Sequence, residues 1–260
     1  LAAAGVRFDR CFSQPVCAPS RFTLISGMHA VSCGPAHHMR ARGVLPEGVE
    51  AFPALLRQAG YFTVNNAKTD YNAAIDLERT WNRSGKKAHW RDRPRPEQPF
   101  LAVFNPDVTH ESCLFPEEDV PLPFPATDPA KVTLPTYLPD TPEIRADWAR
   151  HADHVALLDR QLAARLAELE ADGLADDTIV FFFGDNGGVT PRSKRFLQAS
   201  GIHVPLIVRF PPRWRHLAPS AEGTRTSDPV GFVDFPATVL ALAGVPRPAW
   251  FQGRPFAGGD

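Results

Sequence analysis

Residues Pro142–Gly188 read PEIRADWARHADHVALLDRQLAARLAELEADGLADDTIVFFFGDNGG. Ile144, Trp148, Val155, Leu158, Leu162, Leu166 and Leu169 recur at spacings of three, four and seven, which places them on one face of a helix over Pro142–Ala171. Gly173 stops that helix. Thr178–Phe183 is an apolar run without alternation, the pattern of a strand buried on both faces in a parallel sheet. A polar segment, Gly184-Asp185-Asn186-Gly187-Gly188, follows at once. Helix, buried strand and polar strand end form the repeating unit of an α/β fold with a mostly parallel sheet. In such sheets, sites form beyond the carboxyl ends of the strands.

The same unit recurs on either side. Phe52–Ala59, closed by Gly60, predicts a helix, and YFTVNN after it a strand. Phe100–Asn105 has buried-strand length, as does Val204–Phe210. A late helix ends at Gly244, and LAAAGVRFDRCF at the start reads as a helix end running into a strand. The 27 prolines cluster at Pro94–Pro99 and Pro116–Pro142, which read as surface connections.

Bulk properties narrow the function. The net charge of −1 argues against a generally basic nucleic-acid binder. No apolar stretch is long enough to span a bilayer. The four cysteines, Cys11, Cys17, Cys33 and Cys113, include no CxxC pair, so a zinc ribbon or dithiol redox motif has no support. Cys11, Cys33 and Cys113 read as buried thiols, with a bridge open to one pair in an oxidising compartment.

Three strand ends carry polar groups. Asp185 and Asn186 offer two hard oxygen ligands, suited to Ca²⁺ or Mg²⁺, or simply form a turn. His110, after Phe100–Asn105, is a general acid or base, or a surface loop histidine. Lys68 and Asp70, after YFTVNN, are site residues or solvated loop charges. His37–Arg40 (HHMR) lines a substrate pocket or faces solvent. His151 and His154, one helical turn apart, are a metal pair or a solvated helix edge.

CFSQPVCAPSRFTLISG, Cys11–Gly27, adds a cysteine just ahead of a short helix over Pro19–Ser26. Unpaired N–H groups and the helix dipole at that end favour an anion, and Arg21 adds a fork of donors. The cysteine phosphatase loop, Cys-x5-Arg, does not fit, because the sixth position after Cys17 is Thr23. The plain alternative is a buried free thiol.

Cys17-Ala18-Pro19-Ser20-Arg21, followed by Leu24, Ser26 and Gly27, resembles the signature of type I sulfatases, in the alkaline phosphatase superfamily. VNNAKTDYN, FNPDVTHES, the helix–strand–DNGG stretch, PRSKRFLQASGIHVPLIVRFP and the late FQGRPF match further family segments in order. The resemblance implies a sulfuric ester hydrolase, with sugar sulfates ahead of aryl sulfates. It implies that a formylglycine-generating enzyme converts Cys17 to formylglycine. The hydrated aldehyde, a gem-diol, would then attack the sulfur of the ester and form a covalent enzyme–sulfate. By the same resemblance Asp185 and Asn186 bind Ca²⁺ (or Mg²⁺) together with residue 17. Arg21 holds the diol, Lys68 and Lys194 offset the sulfate charge, and His110 serves the leaving oxygen.

Asp70 departs from the family's common Lys-x-His pattern. The family's Asp-Asp pair at the end of its first strand has no counterpart in this chain, and the smaller C-terminal antiparallel subdomain is also missing. The expectation is a sulfatase catalytic domain over residues 1–260, incomplete at both ends, with weak metal binding and poor turnover. A preceding signal peptide would make it periplasmic or secreted. Two other readings stay open: a phosphate or phosphonate monoester hydrolase of the same superfamily, and a non-catalytic remnant that binds anions.

Overall fold

Glycine and proline punctuate the chain where the sequence suggests. In the computed structural model, which describes residues 1–115 and 120–259, the strands are β1 (Val6–Phe12), β2 (Phe62–Asn66), β3 (Arg83–Ser84), β4 (Phe100–Phe104), β5 (Val180–Phe183), β6 (His203–Arg209), β7 (Arg225–Thr226) and β8 (Val230–Gly231). The helices are α1 (Cys17–Ser26), α2 (Phe52–Gln58), α3 (Leu77–Thr80), α4 (Pro142–Ala171), α5 (Ala199–Ile202) and α6 (Asp234–Leu242). The first part of the Pro116–Pro142 connection lies outside the described residues. The Thr141 hydroxyl caps α4 by accepting from the Ile144 N–H, Pro142 fits the first turn, and Gly173 (φ 70°) takes the left-handed turn after it.

The fold is α/β, with two sheets. One runs β5-β6-β1-β7, with β8 also on β1; the other runs β3-β2-β4. The pairs β1–β7, β1–β8, β2–β3 and β2–β4 are parallel, while β6 is antiparallel to both β1 and β5. The continuous apolar runs of β5 and β6 therefore do not report a parallel pairing. Nor do they report burial on both faces, since β6 is buried only at alternate residues and β5 is half-exposed.

Helices cover both faces of the β3-β2-β4 sheet. Leu101 and Val103 of β4 join α2 and α6 in one apolar cluster. Phe100 and Ala102 point the other way, with Phe62, Val64 and Ala88, as the period of two requires. On that second face the Arg165 guanidinium of α4 lies 4.7 Å over the Phe104 ring, and Trp90 donates to Asp172 at 2.7 Å.

Two expectations need correction. The apolar stripe of α4 is only half-buried, and Val155 is exposed. The fully buried positions are Ala149, Asp153, His154 and Leu169, because the helix packs on loop backbone as well as on apolar surface. Asp153 accepts from the Thr127 N–H and hydroxyl, and the His154 Nδ1 donates to the Val108 carbonyl at 2.6 Å. His154 is therefore buried rather than on a solvated edge, and His151 is only partly exposed. Second, β5 is half-exposed rather than buried on both faces, and so is β4. Each ends its sheet, and among the described residues nothing pairs with its outer edge.

Phe235 of α6 sits at the centre of an aromatic cluster, with ring centroids 5.0 Å from Phe183 and from Phe232 and 5.6 Å from Phe256. Phe235→Ala should cost about 3–5 kcal/mol, the usual loss for a buried aromatic that leaves a cavity. Urea denaturation measures it, and a loss below about 1 kcal/mol would mean the cluster repacks around the gap.

Candidate active site

The polar ends of β2, β4 and β5 meet at the N-terminus of α1. That helix begins at Cys17, two residues ahead of the expected start, and Gly27 (φ 69°) closes it. Val16 precedes it at φ 68°, a left-handed conformation that is costly for a β-branched residue. Its N–H donates to the Lys194 carbonyl at 2.8 Å, which helps to hold the strained residue. Cys17 is 7% exposed, and its thiol donates to Asp70 Oδ2 at 3.5 Å. The position where a family member commonly carries histidine thus faces the cysteine as a carboxylate acceptor.

Arg21, one turn along α1, bridges two strand ends. Its Nε donates to Asp185 Oδ2 at 2.8 Å and its Nη1 to Asn105 Oδ1 at 2.7 Å. The ion-paired side chains are 11% and 24% exposed. Asn105 continues the network by donating to Asn65 Oδ1 at 2.9 Å, and Asn65 donates to Ser84 Oγ at 3.2 Å. Asn186 donates to the other Asp185 oxygen at 2.6 Å.

Lys194 is 6% exposed, with Nζ 3.6 Å from Glu111, and its N–H donates to the Gly188 carbonyl. Lys68 makes no hydrogen bond or ion pair among the described residues. Both lysines act on His110. Burial first, then the charges of Lys194 and Lys68, hold the imidazole below its ordinary range, with Glu111 and Asp185 opposing. The Ser112 N–H donates to His110 Nδ1 at 3.4 Å, so the proton of the neutral ring sits on Nε2.

Gly187 is a spatial necessity rather than a turn former alone. A Cβ on Gly187 would lie 1.9 Å from the Ser200 carbonyl oxygen, and its N–H donates to the Gly201 carbonyl at 2.8 Å. Beside Gly188 stands His151, whose Nδ1 is buried with no hydrogen-bond partner among the described residues and whose ring is held below its ordinary pKa, by burial and then by His154.

All of the expected side chains, Cys17, Arg21, Lys68, His110, Asp185, Asn186 and Lys194, belong to this one region. Sequence reading missed Asn65, Asn105 and Glu111, which serve the site through Arg21 and Lys194. The one available signal was position, because Asn105 follows β4 directly and Glu111 follows His110. The other cysteines are outside the region. All four are free, and burial pushes Cys11 up to about 12 and also raises Cys33 and Cys113.

The donor set does not fit a complete shell for Ca²⁺ or Mg²⁺. Ca²⁺ takes about six to eight oxygens and Mg²⁺ near-ideal octahedral coordination. Among the described residues no group of three or more His, Cys, Asp or Glu side chains could hold a metal ion. Both Asp185 oxygens are engaged, one by Arg21 and one by Asn186.

Strand-end chemistry around a helix N-terminus in an α/β layer defines a class, and comparison assigns it. The Sulfatase family model matches residues 1–245, and the chain belongs to that family. It is 34% identical over 305 aligned residues to an ulvan-active sulfatase of Formosa agariphila, covering 99% of this chain and 49% of that protein. It is 32% identical over 125 residues to human N-sulphoglucosamine sulphohydrolase, covering 48% of this chain and 24% of that protein. The chain thus spans about half the length of the ulvan-active relative or less in each case. Among solved structures, BT4656 in complex with its substrate D-glucosamine-2-N,6-O-disulfate superposes with a TM-score of 0.70 at 17% identity, covering 98% of this chain and 72% of that one. A phosphonate monoester hydrolase from Silicibacter pomeroyi gives 0.66 at 18% identity, covering 98% and 69%.

His110 and His151 set a stability window. Both are held neutral in the fold below the unfolded value of about 6.5. Once pH falls past that value, the unfolded chain binds protons that the folded chain refuses. Their contribution is therefore present above 6.5 and lost as pH falls through the lowered folded values. Thermal melts from pH 7 to 5 should show a falling midpoint, and His151→Gln should flatten the fall. An unchanged slope in that variant would remove His151 from the account.

Proposed function

We propose that this chain is the catalytic unit of a sulfuric ester hydrolase acting on sulfated saccharides, with Cys17 reacting as formylglycine. The carrying observation is the setting of Cys17. It opens a helix that carries Arg21 one turn on, Val16 just ahead of it bonds to the Lys194 carbonyl, and the charges of Lys194 and Lys68 both act on His110. Conversion by a formylglycine-generating enzyme would supply an aldehyde whose hydrate is an oxygen nucleophile toward sulfur.

The chain's own residues do the rest. The first turn of α1 favours negative charge at that end. Lys194, buried and fixed at both its N–H and its carbonyl, offsets sulfate charge with little reorganisation. Lys68 adds a second charge. His110 presents Nε2–H toward the leaving oxygen. Arg21 is held by Asp185 and Asn105, so its guanidinium is placed before substrate arrives. Saccharides rank first because the ulvan-active relative and the disulfated-glucosamine complex are both sugar-directed by their descriptions.

The unpaired outer edges of β4 and β5 support one further part of this reading. Arg21 spans from the end of one strand to the end of the other. An added strand between them would complete the layer, and residues 1–260 would then be a single catalytic unit that lacks it.

Two measurements check the reading. Mass spectrometry of the Cys17 peptide, after co-expression with a formylglycine-generating enzyme, should show a loss of about 18 Da, the exchange of a thiol for an aldehyde. An intact thiol in that host would favour a non-catalytic anion binder. In the same preparation, binding of sulfate esters should exceed binding of phosphate and phosphonate esters, and the reverse order would favour the phosphonate hydrolase reading. For the cation, calorimetric titration with Ca²⁺ should find no micromolar site in this chain. Micromolar affinity would show that Asp185 and Asn186 recruit ligands not evident in their present contacts.

A further inference from the structure

From residue 10 to residue 46 the chain contains no Asp or Glu, although it has 29 in all. Within that stretch the loop His37-His38-Met39-Arg40-Ala41-Arg42 carries two arginines and two histidines. All four of those side chains are exposed. Among the described residues none of them makes a hydrogen bond or ion pair; His37 and His38 have only a ring contact, at 6.2 Å, with each other. Most other arginines of this chain are paired, for example Arg79 with Glu50, Arg91 with Asp172 and Arg145 with Asp140.

The loop is built, not loose. Arg40 (φ 63°) and Arg42 (φ 44°) both take left-handed conformations, uncommon for long side chains. Asn72 donates both amide hydrogens to it, one to the Ala36 carbonyl at 2.7 Å and one to the His38 carbonyl at 2.8 Å. The Gly43 N–H returns to the Asn72 carbonyl, and Ala36 packs with Phe22 of α1 in one apolar cluster.

Its anchor is also part of the candidate site. Three successive residues do three jobs: Asp70 accepts from Cys17, Tyr71 lies where the Arg21 charge acts on its phenol, and Asn72 ties down the loop. Asp70 and Asn72 are two residues apart, at most about 7 Å of backbone, so the acceptor of the cysteine and the anchor of the loop belong to one short segment.

We propose that the His37–Arg42 loop is a second anion subsite, which binds a further oxyanion of the saccharide, either a uronate carboxylate or another sulfate, while the scissile sulfate lies at Cys17. The inference rests on the sulfate-ester reading and narrows it to saccharides with at least two negative groups. Unpaired guanidinium groups suit it, because they bind carboxylate and sulfate through two parallel N–H donors.

Calorimetry on the intact chain with three probes tests this: galactose 6-sulfate, glucosamine-2-N,6-O-disulfate and a monosulfated disaccharide carrying glucuronate. One or both doubly charged probes should bind about tenfold tighter than the monosulfate, the effect of one charge-assisted contact. The probe that gains identifies the second group as sulfate or carboxylate. In Arg40→Gln/Arg42→Gln, checked for fold by circular dichroism, the ratio should fall toward one. Arg95→Gln, an exposed arginine elsewhere, should leave the ratio as it is. Equal binding of all three probes by the unaltered chain, or a ratio that survives the double substitution, would overturn the subsite alone. Failure of every probe to bind would overturn the sulfate-ester reading and the subsite with it.

Discussion

The guanidinium of Arg21 joins the two halves of the strand layer. Its Nε reaches Asp185 after β5 and its Nη1 reaches Asn105 after β4, while its backbone belongs to the helix that Cys17 opens. Among the described residues no backbone ladder connects β4 to β5, so this pair of hydrogen bonds sets how the strand ends face each other. A mostly buried ion pair of this kind gains little net stability over an apolar substitute, but losing one partner leaves a charge stranded. Its value lies in geometry. It fixes the relation among three elements to which the candidate site residues are attached.

The amide chain behind Arg21 gives that geometry stiffness. Ser84, Asn65, Asn105 and Arg21 form a line of donors and acceptors that runs from an exposed end at Ser84 to the buried Asn65 and the mostly buried Arg21, where the bonds are stronger than they would be in solvent. Lys194 is fixed in a comparable way from the other side, through its backbone to Gly188 and to Val16. The site therefore has two rigid walls and one open cation, Lys68.

Much of this was legible in the residues, for stated reasons. The bounds of α4 followed from Pro142, Gly173 and a regular apolar stripe, signals local to the helix. The polar groups at strand ends followed from the α/β rule, and Cys17, Arg21, Lys68, His110 and Lys194 from ordered resemblance. What could not be read was relational. Antiparallel β6 carries the apolar run expected of a parallel strand, although only alternate residues of it are buried. The stripe on α4 did not announce that Asp153 and His154 would be buried, since their partners are loop backbone groups far along the chain. Asn65 and Asn105 looked like ordinary strand-end amides until Arg21 was seen between them.

The depth of Cys17 has a consequence in time rather than in space. Eight of the ten residues of α1 are buried, the cysteine among them. A small oxidant could still find that sulfur in the finished fold. The active site of another protein, far larger, could not reach it while the first turn of α1 stays packed. Any such maturation belongs to the interval before α1 docks, so the rate at which this helix packs sets a deadline for the chemistry of its first residue.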